Sequence, residues 1–166
     1  MKIGTAIQGA MNDQIHKELD SAYGYLAMSA YFSSHNYPGA ASWMRIQAKE
    51  ELGHAARFID FLEDRGGKVV LGALAAPAVE YASPLAAFEA AVEQEGLVSA
   101  SIYRLYELAA KEKDYAAQAL LQWFITEQVE EEKTSRQIVD TLRLIGSNTS
   151  GLYMFDRELG RRGQAG

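Results

Sequence analysis

From Thr5 to Ser34 the positions Ile7, Met11, Ile15, Ala22, Tyr25, Ser29 and Phe32 recur at steps of three, four and seven, with Asn12, Lys17 and Asp20 off that stripe. This is the period of a helix with one buried face. His35-Asn36-Tyr37 makes a short turn, and Pro38 suits the first turn of a second helix that carries Trp43, Ile46, Phe58, Phe61 and Leu62 and stops at Gly66-Gly67. Lys68 to Tyr81 has no helical period, and Val69-Val70 and Pro77 mark it as an extended connection. Ser83-Pro84 opens a third helix that runs to about Lys111. Asp114 caps a fourth, which carries Leu120, Leu121, Phe124, Ile138, Leu142 and Ile145 and ends at Gly146. A turn over 147–150 leads to a short helix, Gly151 to Leu159, too small to stand alone. The pattern predicts an all-α four-helix bundle: two antiparallel pairs joined by one long crossover, with a short fifth C-terminal helix. Residues 1–166 form one domain, the bundle over 5–146 and the tail helix over 151–159.

Polar residues break these stripes at particular places. Glu18 shares its row with Met11, Ile15, Ala22 and Tyr25; Glu95 lies among Phe88, Val92, Val98 and Ile102. Glu51 and His54, three apart, continue the row from Gln47 to Phe58, so one cation could touch both. On the fourth helix Gln128 and Glu131 fall on the row of Phe124, Ser135 and Ile138, Glu127 and Glu130 flank it, and Glu132-Lys133 read as solvent face. Several carboxylates in one interior repel one another and lose hydration, so the arrangement calls for cations.

Composition narrows the guest. The 166 residues contain no cysteine, which leaves oxygen and imidazole as metal ligands and removes disulfides, thiolate sites and iron–sulfur clusters. A formal charge of −6 with no basic face argues against a nucleic-acid partner. The longest mostly apolar stretch, Val69 to Val79, is too short for a bilayer and no membrane partner is expected. The N-terminus leads straight into the amphipathic pattern without a signal peptide, so a cytoplasmic location is expected.

The chain resembles bacterial non-haem ferritins over nearly its whole length. The resemblance rests on Lys17-Glu18-Leu19, Glu50-Glu51-x-x-His54, Leu121-Gln122-Trp123-Phe124, Glu127-Gln128-x-Glu130-Glu131-Glu132-Lys133, and Gly151-Leu152-Tyr153 with Asp156 and Leu159. Ferritin-like bundles place one Glu on each of two helices and Glu-x-x-His on each of the other two, a pattern this chain resembles at Glu18, Glu95 and Glu51-x-x-His54. Gln128-x-x-Glu131 departs from it, standing where a symmetrical site would have Glu-x-x-His. The resemblance implies ferroxidase activity and iron storage. Glu18, Glu51 and His54 would hold one Fe2+, and Glu51, Glu95 and Glu131 a second, looser one, with Gln128 near the oxygen-binding region. Glu50, Glu127 and Glu130 would hold a third ion, and Tyr25 would serve as an auxiliary electron donor. O2 or peroxide would be the oxidant. It also implies a homo-oligomeric shell of twenty-four subunits with the fifth helix at the four-fold axis, which would explain an apolar tail-helix face with nothing in its own subunit to bury it. Oxygen-rich ligation with one imidazole suits Fe2+ and stabilises Fe3+ further.

Two relatives of this plan fit less well. A haem-binding bacterioferritin would want an axial methionine directly after the Glu-Glu pair; Leu52 stands there and no haem is expected. A rubrerythrin-like di-iron oxidase or peroxidase would lack its usual cysteine-bound electron route.

Overall fold

A computed structural model describes residues 2–162. Five helices follow in order: α1 (Thr5–Ser34), α2 (Pro38–Asp64), α3 (Pro84–Lys111), α4 (Tyr115–Ile145) and α5 (Thr149–Leu159). The α1/α2 and α3/α4 hairpins pack side by side through α1 and α3. Among the described residues no Cα of α2 comes within 8 Å of one in α4. Those two helices meet through long side chains instead, as in the stacked Phe58 and Phe124 rings, whose centroids are 4.2 Å apart.

The helix ends are built from local signals. Ser83 accepts a hydrogen bond from Ala86 N at 3.1 Å, and Asp114 accepts one from Ala117 N at 3.0 Å. Asp114 also receives both guanidinium nitrogens of Arg65 at 3.0 Å, which ties the end of α2 to the start of α4. The crossover is extended and has no strand partner. Asn12 holds it to α1, donating to Lys68 O at 2.9 Å and accepting from Val70 N at 2.7 Å. Its Val70, Leu71 and Val79 side chains are exposed.

The fifth helix departs from the sequence reading in two respects. It starts at Thr149 rather than Gly151, because Asn148 accepts from Gly151 N at 2.9 Å and caps a turn expected to lie outside the helix. Part of its apolar face is also covered within its own chain: Leu159 is buried, and Leu152 and Phe155, half-buried, pack on the cluster around Trp43 and Phe88, while Tyr153 and Met154 stay exposed. The dock is fixed by Asp156. Its carboxylate accepts from Gly39 N at 3.0 Å and Ala40 N at 2.8 Å, the first N–H groups of α2 after Pro38. Tyr37, the residue ahead of that helix, supplies no side-chain cap, so α5 caps α2 from afar.

The core divides into two apolar clusters. One gathers Phe32, Trp43, Met44 and Phe88; the other gathers Met11, Ile15, Phe58, Leu62, Ile102 and Phe124. Between them lies a belt of buried polar side chains from all four long helices. No helix among the described residues is long and apolar enough to cross a membrane.

Candidate metal centre

The belt contains Glu18, Glu51, Glu95, Gln128 and Glu131, each at most 8% exposed, and His54 at 6%. Helical spacing puts them there: each lies on the row of apolar residues that fills the clusters above and below, so the packing that buries the row buries its carboxylate.

Glu18, Glu51 and His54 converge. Each offers a ligand atom within 4.8 Å of the other two, the one such trio among the described residues. His54 Nδ1 lies 3.6 Å from Glu51 Oε2 and 3.9 Å from Glu18 Oε2. Glu18 Oε2, both oxygens of Glu51 and His54 Nδ1 are buried and have no hydrogen-bond partner among the described residues. Four orphaned lone-pair atoms in one dry space would be strongly unfavourable without a cation or protons. The pocket is stiff: the His54 ring meets Trp123 and Phe124 edge-on at centroid distances of 5.6 and 5.7 Å, and the Arg57 guanidinium lies 3.8 Å from the Trp123 centroid.

In the second half of the belt the carboxylates already hold donors, although Gln47 Oε1 is buried without a partner among the described residues. Glu95 accepts from the Tyr25 hydroxyl and from Gln128 Nε2, the latter at 3.2 Å. Glu131 Oε2 accepts from Gln47 Nε2 at 2.9 Å. Gln128 thus turns its amide N–H groups toward Glu95 and Ser99, acting here as a donor.

Sequence reasoning passed over Gln14 and Ser101. The Ser101 hydroxyl lies 2.7 Å from Gln14 Oε1, which aims the amide nitrogen at Glu18 Oε1, 2.8 Å away. The signal was present: Gln14 sits four residues before Glu18 on the same stripe. Glu132, expected at the solvent face, instead accepts from Ser99 at 2.6 Å in the α3/α4 seam and pairs with Arg136. Glu50, Glu127 and Glu130 do not form a comparable trio among the described residues. Glu130 is exposed and lies 3.9 Å from Lys133 Nζ, while Glu50 is held by Arg162.

Burial dominates the electrostatics. It pushes the Glu18 carboxyl up to about 8, with the Glu51 charge adding to the effect and the Gln14 donor opposing it. Glu131 is pushed up to about 7 by burial and then by Glu95, with Gln47 opposing. Burial and mutual repulsion raise Glu51, burial raises Glu95, and burial with the Glu95 charge raises the Tyr25 phenol. Without a cation the site therefore holds protons near neutrality. Between pH 4.5 and about 8 the folded chain binds more protons at Glu18 than the unfolded chain, so this group's contribution to stability falls as pH rises. Calorimetry of the metal-free protein should show that fall, and a bound divalent cation should offset it. Unfolding unaffected by cation at pH 8 would contradict the picture.

A bundle with a buried pocket of carboxylate oxygens and one imidazole is a cation-binding four-helix protein. Residues 8–145 match the family model described as a ferritin-like domain. A bacterial non-heme ferritin of Staphylococcus epidermidis is 40% identical over 153 residues, covering 92% of each chain, and one of Staphylococcus aureus is 38% identical over the same length. An open pore ferritin from the archaeon Archaeoglobus fulgidus superposes with a TM-score of 0.95 at 46% identity, covering 96% of this chain and 98% of its own. An engineered closed form of that ferritin gives 0.94 at 46% identity, covering 96% and 97%. The chain belongs to the ferritin family.

Proposed function

We propose that this protein stores iron and oxidises it, taking up Fe2+ at the Glu18/Glu51/His54 pocket and at an adjoining position formed by Glu51, Glu95 and Glu131. The observation that carries this reading is the set of four partnerless buried ligand atoms contributed by those first three residues. Oxygen donors with one imidazole suit ferrous iron and favour the ferric state still more, which lowers the cost of oxidation in place. The electron balance is simple: two Fe2+ lose one electron each, and O2 gains both with two protons and leaves as H2O2. With peroxide as oxidant the same electrons and protons give two waters. Glu18 and Glu131 supply protons when the cations displace them.

The two positions differ in what a cation must displace. At the first it replaces protons only; at the second it competes with the Tyr25, Gln128 and Gln47 donors that already bind Glu95 and Glu131. Anaerobic binding should therefore occur in two unequal steps. Tyr25→Phe frees one Glu95 oxygen and should tighten the second step by about tenfold, roughly the lower bound for one charge-assisted hydrogen bond, while leaving the first unchanged. An unaltered second step in calorimetric titration would show that Tyr25 does not compete there. We also assign Tyr25, whose hydroxyl bonds to Glu95, the role of auxiliary electron donor. A tyrosyl signal in rapid-freeze spectra that is absent from Tyr25→Phe tests that role, and identical spectra would end it.

Mineral storage needs an enclosed volume, and we assign a homo-oligomeric shell of twenty-four chains in the cytoplasm. Support comes from exposed apolar side chains on the crossover and on outer helix faces, among them Leu52, Leu71, Val79 and Leu97. Native mass spectrometry tests it, and a monomer or dimer would favour a freely diffusing di-iron oxidase instead.

A further inference from the structure

Arg162 returns from the far end of the chain to the edge of the belt, beside Glu50. Two residues beyond the Gly160 cap of α5, its Nη2 lies 2.6 Å from Glu50 Oε2, and its guanidinium carbon stands 4.6 Å from the centroid of the Trp43 ring. Arg162 Nη1 is out of reach of solvent and has no acceptor among the described residues. The chain delivers this group on a fixed mount. Asp156 pins α5 to the start of α2, and Arg161 N and Arg162 N close successive turns onto Glu158 O and Leu159 O at 3.0 and 3.2 Å. The charge reaches further than its ion pair, for it helps to lower the Glu131 carboxyl against the burial that raises it. A guanidinium is permanently charged, and this one rests on an aromatic face beside a carboxylate.

Glu50 is adjacent in sequence to Glu51, and its charge reaches both Glu51 and Glu131, so a cation held by Glu50 would sit beside the two inner positions. We propose that Arg162 is a tethered cation filling this place: it holds Glu50 and excludes a third Fe2+, so the centre works with two ions while the tail is docked. The inference rests on the iron-binding reading above and deepens it. A divalent ion at Glu50 would have to displace the guanidinium and would meet its charge at close range, whereas the Glu18/Glu51/His54 pocket keeps its free lone pairs and is untouched by the tail. Glu130 is exposed and paired with Lys133, so Glu50 is the carboxylate on which such an ion would depend.

The test is anaerobic equilibrium binding of Fe2+ by the assembled protein, counting ions per chain. The wild type should bind about two, and Arg162→Gln, which keeps the length and loses the charge, should bind about three. Deleting residues 161–166 removes the guanidinium by another route and should give the same gain. Arg162→Lys restores a cation and should return the count to about two, while Glu50→Gln added to Arg162→Gln should abolish the gain. A purely structural role for Arg162 would change melting but not the ion count. Identical counts in wild type, Arg162→Gln and the deletion would overturn the proposal, as would a wild type that already binds three. A wild type that binds no Fe2+ would instead overturn the iron-binding reading beneath it.

Discussion

Replacing His54 with Ala will slow ferrous oxidation on the order of a hundredfold, because it removes the sole imidazole from a pocket whose other donors are carboxylates already in mutual repulsion; even outer partners of metal ligands are worth about tenfold to a hundredfold. Glu18 and Glu51 remain, but without the third donor they relax toward sharing protons, as the raised Glu18 carboxyl already indicates. The fold should survive. The ring is one small buried group between Trp123 and Phe124, and its loss leaves a cavity costing about 2 kcal/mol, a modest fraction of the packing in five helices. His54→Gln fills most of that volume with a weak ligand and should be nearly as slow. Stopped-flow oxidation at wild-type rate in both variants, with circular dichroism unchanged, would remove His54 from the centre.

Asp156→Ala should release α5 from the bundle. The carboxylate satisfies two N–H groups at the first turn of α2 and complements that helix's positive end, so its loss should cost about 2–3 kcal/mol. The same dock explains Gly39. A Cβ there would stand 1.7 Å from the Asp156 carbonyl oxygen, a backbone atom that cannot swing aside. Gly39→Ala should therefore undock α5 even with the carboxylate intact. In both variants the tail should become protease-sensitive between residues 147 and 162, and the melting temperature should drop. Melting and protease resistance equal to wild type would show that the Asp156 cap is dispensable.

The four long helices were legible because stripe, cap and stop signals agree: Ser83-Pro84, Asp114, Gly66 and Gly146 all fall at helix boundaries. The inward rows were equally legible, since a carboxylate on an apolar stripe has nowhere else to point once the stripe packs. What escaped were contacts made across long separations. Asp156 and Gly39 are 117 positions apart, and Arg162 and Glu50 are 112 apart; no local pattern relates them. Glu132 was misread because a run of acids looks solvated until Ser99 on a neighbouring helix provides a donor. The inequality between the two halves of the belt was expected from the ligand types alone. Its physical form was not, because hydrogen bonds from Tyr25, Gln47 and Gln128 depend on how four helices align in height.

Anaerobic titration of the metal-free protein with Fe2+, with protons and bound ions counted together, probes the converging pocket most directly. The expected result is one tight ion per chain followed by a weaker second, with proton release as Glu18 and Glu131 are displaced and affinity rising with pH toward about 8. Glu51→Gln should weaken both steps, since Glu51 belongs to both proposed positions. Two equal steps that release no protons, or binding indifferent to Glu51→Gln, would contradict a centre built on the partnerless oxygens of Glu18 and Glu51.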